Sequence, residues 1–341
     1  MSMSRARVAR RIATAAAYGG GGIGLLGGAA VGLLLTEVRL ARRVVGGCED
    51  LPPVADGRYG TEFGADEPPV RLAFLGDSTA AGQGVRRARE TPGALLAAGL
   101  AAVAERPVDL VNVALPGAQS DDLERQVSLL LDGPAPAPDV CVIMIGANDV
   151  TRRMPLTLSV RYLASAVGRL HDAGARVVVG TCPDLGTIEP VYQPLRWVAR
   201  RLSRQLAAAQ TIAVVELGGR TVSLGQLLGP EFEASPREMF GPDNYHPSAA
   251  GYATAAMAVL PTLCSALGLW PEEGQTPTAL PVAVAAAEAA AQGGTEVTAG
   301  GATALPGRRP RWAVLRRGAA TQPPTPTPTR TGAVSTGGRR D

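Results

Sequence analysis

The chain has 341 residues, a formal net charge of +3 and four cysteines. Its length accommodates one core of about 200 residues with extensions at both ends. The slight excess of arginine lies in those extensions, which argues against a nucleic-acid groove in the core. The cysteines show no metal-binding spacing, so no metal site and no cofactor are expected. In an oxidising compartment Cys182 and Cys264 are candidates for a disulfide, although the sequence does not place them in contact.

The N-terminal region contains an uncharged stretch, residues 12–36, that is long enough to cross a bilayer as a helix. Arginines flank it on both sides, whereas a cleaved signal peptide has a shorter apolar core and a small-residue cleavage site. We therefore expect residues 1–44 to form an uncleaved, single-pass anchor in the cell membrane and residues 45–69 to form a linker. The flanking arginines favour a cytoplasmic N-terminus, which places the following domain outside the cell.

Small residues recur at every fourth position of that stretch, at Gly20, Gly24, Gly28 and Gly32. This spacing places them on one ridge of a helix, where a second helix can approach closely, and so predicts self-association through the anchor. A glycine-rich composition also scatters glycines through such a segment by chance. The sequence does not separate these two explanations.

The core, residues 70–270, alternates short apolar runs with amphipathic stretches. Five runs are typical of strands buried on both faces: 70–76, 108–115, 140–146, 175–181 and 211–217. The amphipathic stretches predict helices near 91–105, 121–131, 156–172, 195–209 and 248–267. This alternation implies parallel pairing with right-handed crossovers. The expected fold is α/β, a three-layer α/β/α sandwich around a five-stranded parallel sheet of the flavodoxin-like type.

Three candidate functional residues directly follow predicted strands. Ser78 follows the first strand, Gly117 the second and Asn148 the third. Ligands of such sheets bind at the carboxyl ends of the strands. We therefore expect these three residues to gather at one edge of the sheet.

The chain has only two histidines, His171 and His246. A serine hydroxyl is a poor nucleophile unless a neighbouring base takes its proton, and imidazole suits that exchange at neutral pH. His171 ends a predicted helix, where a cation near the last carbonyl groups is the ordinary explanation. His246 is therefore the candidate base.

Four short motifs lie at the strand ends and in the last loop: Gly76-Asp77-Ser78 with Gly82, residues 112–117, residues 146–149 and residues 243–247. Each occurs by chance in unrelated chains, but together, over about residues 70–269, they resemble the SGNH (GDSL-type) hydrolase family. Thr79 stands where the family's name has leucine, which alters a neighbouring contact rather than the chemistry. The resemblance implies a serine hydrolase that acts on esters.

In that resemblance Ser78 is the nucleophile, His246 the general base and acid, and Asp243 the carboxylate that orients the imidazole. Asp243 lies three residues before His246, so one turn of chain can fold its carboxylate onto the ring. Each residue also has a structural explanation: a turn or capping serine, a hydrogen-bonded loop histidine and a helix-capping aspartate.

The resemblance assigns the oxyanion hole to the backbone amides of Ser78 and Gly117 and to the side-chain amide of Asn148. Each such donor contributes ~3 kcal/mol to lowering the barrier. A plain Pro-Gly turn at Gly117 and a turn-stabilising Asn148 are the alternatives. Asp77 and Asp149 are expected to shape their turns rather than to transfer protons.

Together these assignments predict a membrane-anchored serine esterase of the lipase type, cleaving carboxylic esters of lipids or O-acylated carbohydrates through an acyl-enzyme on Ser78. An acyltransferase would use the same residues and pass the acyl group to an alcohol. A non-catalytic, membrane-tethered binding protein is the alternative outside enzymes.

The C-terminal region, residues 271–341, is rich in alanine, glycine, proline and threonine. Such a composition buries little apolar surface, so the region is predicted to be largely disordered, with a short helix near 282–291. Its basic stretch around residues 308–317 is interpreted as solvated, with contact to an anionic lipid surface as the alternative.

Overall fold

A computed structural model describes residues 32, 36–37, 50–64, 67–188, 192–225, 235–269, 278–300 and 312–316. Within these residues the strands form one mixed sheet of nine strands in the order β1-β3-β2-β4-β5-β6-β8-β9-β7. The strands are β1 (Gly57–Tyr59), β2 (Val70–Gly76), β3 (Val108–Asn112), β4 (Val140–Met144), β5 (Arg176–Gly180), β6 (Arg220–Val222), β7 (Thr278–Pro281), β8 (Glu296–Ala299) and β9 (Trp312–Arg316).

The middle of the sheet, β3-β2-β4-β5-β6, is parallel throughout. At one end β1 pairs with β3 antiparallel, and at the other end β8 pairs antiparallel with β6. The prediction of a five-stranded parallel sheet is therefore wrong for the sheet as a whole, because antiparallel strands extend the parallel part at both ends.

The helices that accompany the sheet are α1 (Ser78–Ala81), α2 (Pro92–Ala104), α3 (Leu123–Leu131), α4 (Ala147–Thr151), α5 (Leu156–Asp172), α6 (Leu195–Glu216), α7 (Pro236–Met239), α8 (Ala249–Ala266) and α9 (Val282–Ala291). Thr91 caps the start of α2 by accepting a hydrogen bond from the Ala94 amide, with Pro92 in the first turn. Ser248 caps α8 in the same way through the Gly251 amide.

Alternate side chains of the parallel strands pack into two separate apolar layers. On one face Phe74 packs with residues of α2 and α8, and on the other Leu75 packs with residues of α3 and α5. Every residue of β4 is buried, as expected for a strand covered on both faces. The sequence thus builds the three layers that its alternation predicts.

The predicted strand 211–217 is helical and forms the end of α6, and the strand at this point is the short β6. Leu206, Gln210 and Val214 are all buried at a spacing of four residues. That spacing forms one face of a helix, which outweighs the β-branched residues in the run. The three residues of β6 are too few to show a period.

The described part of the C-terminal region is folded, so the predicted disorder is wrong there. β7, β8 and β9 pair antiparallel and continue the sheet beyond β6. The helix expected near 282–291 is confirmed as α9, whose buried Ala285 and Ala289 pack with Val297, Leu315 and Val215 of α6. The small alanine side chains let α9 lie close to its neighbours. The repeat of proline and threonine at 321–329 lies outside the described residues.

One described helix, α8, is apolar and long enough to pass as a membrane span. Its residues Tyr252, Val259 and Leu263 are fully buried in the domain, which is the ordinary setting of a core helix. The predicted anchor at 12–36 lies outside the described residues except for Gly32 and Thr36, as do Gly20, Gly24 and Gly28 of the predicted ridge.

Cys182 and Cys264 are buried free thiols that belong to different hydrophobic clusters, so the candidate disulfide does not form in this structure. Burial raises the pKa of the Cys264 thiol to about 11, and burial followed by nearby carboxylates raises that of Cys182. Both therefore behave as small apolar core residues.

Candidate active site

The turn after β2 presents Ser78 at the edge of the sheet. Gly76 has φ 134°, and a β-carbon there would lie 1.9 Å from the Met144 carbonyl oxygen, so glycine is required. The buried Gln126 accepts a hydrogen bond from the Gly76 amide and donates one to the Gly76 carbonyl. Asp77 then caps α1 by accepting from the Thr79 amide. These contacts fix the backbone from which Ser78 projects.

The loop before α8 is held by its own carboxylate. Oδ1 of Asp243 accepts hydrogen bonds from the backbone amides of Tyr245 and His246. Asn244 adopts a left-handed conformation with φ 54°, and the Gly241 amide donates to the His246 carbonyl to close the loop. The ring of His246 is therefore held by a short, internally bonded segment.

The structure brings Ser78, His246 and Asp243 into one hydrogen-bonded line. His246 Nε2 lies 2.8 Å from Ser78 Oγ, and His246 Nδ1 lies 2.5 Å from Asp243 Oδ2. The three side chains are largely buried, with 11% of the His246 side chain exposed. Burial raises the pKa of Asp243, but its hydrogen bonds to His246 and the charge of that ring outweigh burial and lower it. The carboxylate is thus kept ionised beside the ring.

Two further candidate residues lie beside this turn, Gly117 in the loop after β3 and Asn148 in the first turn of α4. The Leu115 amide donates to the Gly76 carbonyl, and the Asn148 side-chain amide donates to the Ala118 carbonyl at 3.0 Å. That bond uses one of the two Nδ2 hydrogens and fixes the plane of the amide. Gly117 has φ 80°, so its backbone can be approached closely. The three predicted oxyanion donors therefore lie on adjoining segments at one edge of the sheet.

Two acidic residues near the site, Asp77 and Asp149, hold turns in place. Asp149 accepts from the amide and hydroxyl of Ser120 and from the hydroxyl of Ser159, which ties α4 and the segment after Gly117 to α5. Asp77 is buried, and this burial raises its pKa to about 6 against the hydrogen bond from Thr79. Both positions agree with the expected turn-shaping roles.

A small, largely apolar cavity of about 60 Å³ adjoins Ser78 and His246. Its apolar lining includes Met144, Leu185, Ile188, Leu224, Phe240 and Ala255. Tyr245 also lines it and meets the His246 ring edge-on at 4.8 Å between centroids. The Thr181 hydroxyl is buried in the lining without a hydrogen-bond partner among the described residues. The cavity therefore suits an apolar group with one polar point of contact.

Sequence reasoning missed the two buried glutamines that support the site. Gln126 holds Gly76, and Gln210 accepts from the Cys182 amide and donates to the Ile145 carbonyl. A lone glutamine on the apolar face of an amphipathic helix is the signal that could have found them, because a buried amide needs polar partners. Among the aromatic residues, Phe240 and Tyr245 line the cavity, whereas Tyr192 and Trp197 are exposed.

His171, the other histidine, is exposed in the last turn of α5. It lies outside the cavity lining and is explained by its position at the helix end. Among the described residues no group of three His, Cys, Asp or Glu side chains is arranged to hold a metal ion.

A serine, a histidine and a carboxylate in line at the carboxyl edge of a parallel sheet are typical of the α/β serine hydrolases that act on esters. The chain belongs to the GDSL-like lipase/acylhydrolase family, whose model matches residues 74–254. GDSL-like esterase Rv1075c of Mycobacterium tuberculosis is 45% identical over 264 residues, which is 75% of this chain and 83% of that protein. The protein is an ester-hydrolysing serine hydrolase with the SGNH fold.

Two solved structures are also similar. TesA is 26% identical with a TM-score of 0.45 and covers 57% of this chain and 99% of its own. The acetylxylan esterase Axe2 from Geobacillus stearothermophilus is 23% identical with a TM-score of 0.44 and covers 57% of this chain and 93% of its own.

Proposed function

We propose that Ser78, His246 and Asp243 are the catalytic triad and that the protein cleaves carboxylic esters through an acyl-enzyme on Ser78. The 2.8 Å contact between His246 Nε2 and Ser78 Oγ, in line with Asp243, is the observation that carries this proposal. Nucleophile and base lie at the separation that proton transfer needs.

In the first half of the reaction Ser78 Oγ attacks the ester carbonyl carbon while His246 Nε2 takes the hydroxyl proton. The carbonyl oxygen becomes negative and accepts hydrogen bonds from the amides of Ser78 and Gly117 and from Asn148 Nδ2. The carbon–oxygen bond to the alcohol then breaks, and the imidazolium donates its proton to the leaving alcohol. Asp243 stabilises the imidazolium through Nδ1.

In the second half a water molecule loses a proton to His246 and attacks the acyl carbon. The bond to Ser78 Oγ breaks, Ser78 regains its proton from the imidazolium, and the carboxylic acid leaves. If an alcohol takes the place of water, the same steps make an acyltransferase.

The apolar cavity supports an ester with an apolar acyl group, such as a lipid ester, more than one with a strongly polar acid. O-acylated carbohydrate is the other broad class, because its alcohol side can extend into solvent. The Thr181 hydroxyl has no hydrogen-bond partner among the described residues, and it supplies a polar contact to the bound group.

The uncharged stretch 12–36 supports a single membrane anchor with the hydrolase domain on the extracytoplasmic side. Self-association through the glycine ridge belongs to the same proposal. Protease treatment of intact cells tests the side: cleavage of the domain without lysis supports this orientation, and protection contradicts it.

A panel of chromogenic esters of rising acyl length tests the activity. The wild type should turn over apolar acyl esters, and Ser78→Ala should abolish this turnover with an unchanged circular dichroism spectrum. Addition of an alcohol acceptor separates the two enzyme classes, since a transferase forms mainly the new ester. A folded wild type that turns over no ester would instead support the binding protein.

A further inference from the structure

The first turns of α6 and the residues just before them form a basic and aromatic surface. Residues 192–204 contain four arginines and no acidic residue. Tyr192 is 68% exposed, Trp197 58% and Leu202 43%. The Arg201 guanidinium lies 5.7 Å from the centroid of the Trp197 ring. We call Tyr192, Trp197, Arg201 and Leu202 the α6 face.

The arginines of this helix divide into two groups by their contacts. Arg200 and Arg204 lie against the buried carboxylate of Asp184, at 3.4 and 3.1 Å. Arg201 projects with Trp197 on the exposed side. Two of the four arginines therefore hold the loop that contains Asp184. Arg201 is exposed beside apolar surface.

The apolar N-terminal stretch joins the domain at the start of this same helix. Glu37 directly follows residues 12–36, is 8% exposed, and accepts a hydrogen bond from the Leu195 amide at 2.9 Å. A carboxylate at this position also interacts favourably with the helix dipole. A chain that leaves a bilayer at residue 36 thus brings the first turn of α6 close to the lipid.

The helix that carries the α6 face also lies behind one wall of the cavity. The loop 183–188 contributes Leu185 and Ile188 to the cavity lining. The same loop packs on α6, where Ser203 Oγ accepts from the Leu185 amide at 3.3 Å and Asp184 meets the two arginines. The loop 183–188 therefore lies between the candidate substrate cavity and α6, and the α6 face is the exposed side of that helix.

We propose that the α6 face rests on an anionic lipid bilayer, so that the cavity is held beside the membrane and receives lipid esters from it. Exposed tyrosine and tryptophan favour the headgroup region, and arginine adds attraction to anionic lipids. Continuity with the apolar stretch at Glu37 selects a bilayer rather than a protein partner. This inference rests on the proposed membrane anchor and deepens the proposed esterase function.

The test uses the full chain in vesicles of phosphatidylcholine and phosphatidylglycerol whose acyl chains are brominated. Trp270→Phe with Trp312→Phe leaves Trp197 as the single tryptophan of the three. We expect bromine to quench Trp197 fluorescence strongly. The matched control adds Trp197→Phe and Met257→Trp. Its single tryptophan then lies at an exposed site on α8, on the opposite face of the sheet. The fluorescence of this tryptophan should not be quenched.

The outcomes separate the anchor from the face. Flotation of the protein with the vesicles and selective quenching of Trp197 support the proposal. If the protein floats but Trp197 is not quenched, or both sites are quenched equally, the α6 face does not contact the lipid. The proposed anchor is then still supported. Failure to float overturns both.

Activity gives a second, independent measurement. Arg201→Gln should lower hydrolysis of an ester embedded in anionic vesicles by about fivefold, as expected for one arginine at a lipid surface. Hydrolysis of a water-soluble short-chain ester should not change. Equal rates for the variant and the wild type on the vesicle ester contradict the proposal. A wild-type protein that does not hydrolyse the soluble ester would instead contradict the esterase function.

Discussion

The parallel middle of the sheet and its antiparallel C-terminal end are both well packed, but only the first carries candidate catalytic groups. Parallel strands direct all their carboxyl ends to one edge, and Ser78, Gly117 and Asn148 follow three of them. Antiparallel strands such as β7, β8 and β9 end alternately at opposite edges. Substitutions at the parallel edge should therefore change rates, and substitutions in the antiparallel end should change stability.

The largest effect is expected at the base. His246→Ala removes the proposed acceptor of the Ser78 proton, and kcat should fall by roughly 10⁵- to 10⁶-fold. Combining it with Ser78→Ala should cost little more, because the two residues act as a unit. Steady-state kinetics on a chromogenic ester checks this, with thermal unfolding to show that the fold is kept. If the loss of kcat in the double variant is instead the product of the two single losses, the two residues act independently and do not form one unit.

Asn148→Ala should lower kcat by about 10²- to 10³-fold, as for other oxyanion-hole side chains, with KM nearly unchanged. The proposed contact of Asn148 forms only in the transition state, so binding of the substrate in its ground state should be unchanged. Thr151→Ala, an exposed change in the same helix α4, is the control and should retain full activity. A rise in KM at constant kcat would assign Asn148 to substrate binding instead.

Leu315→Ala tests the antiparallel end. This side chain is 6% exposed and packs against α9, so its truncation should lower the free energy of unfolding by about 2–5 kcal/mol. The native protein should keep its kcat. Val284→Ala on the exposed side of α9 (46% exposed) should cost less than about 0.5 kcal/mol. Denaturant titration measures the free energy of unfolding of both variants. A loss of kcat in native Leu315→Ala would contradict the division between a catalytic and a purely structural region.

Asp77→Asn tests the free-energy cost of burying an ionised carboxylate at the parallel edge of the sheet. Burial raises the pKa of Asp77 from 3.8 to about 6, so the folded state binds a proton more tightly than the unfolded state. Ionisation therefore destabilises the wild type progressively between about pH 4 and 6, by up to about 3 kcal/mol. Asparagine retains the cap on Thr79 and removes this cost, so the variant should gain stability relative to the wild type as pH rises. A pH-independent difference would contradict the assignment.

The smallest effect is expected at the second histidine. His171→Ala removes an exposed side chain at the end of α5, so stability should change by less than about 0.5 kcal/mol and kcat should not change. Comparison with His246→Ala in one assay makes the contrast direct. Similar losses of kcat in the two variants would mean that the base is misassigned.

Three strands of the parallel core, β2, β3 and β4, were predictable because each belongs to an apolar run that is followed by a functional motif. Val70–Gly76 agrees in both bounds, and α5 agrees over its whole length. The shortest strands of the sheet were not predictable. β1 and β6 have three residues each, which is too short for a period, and the run 211–217 looks like a strand until its helical contacts are known.

The site was predictable at the level of residues and not at the level of its support. Spacing alone allows Asp243 to reach His246, but the bonds from Asp243 Oδ1 to two backbone amides depend on the left-handed Asn244. The cavity joins loops that are distant in sequence, so its lining could not be derived from local pattern. At the C-terminal end α9 was predicted, but β7, β8 and β9 were not. Alanine in a packed region and alanine in a low-complexity tail look alike in sequence.

Reaction with a fluorophosphonate tests most directly whether Ser78 is an activated nucleophile. Peptide mapping of the labelled wild-type protein should place the phosphonyl group on Ser78, and His246→Ala should react far more slowly while remaining folded. A label on another serine, or equal labelling of the wild type and His246→Ala, would contradict the account.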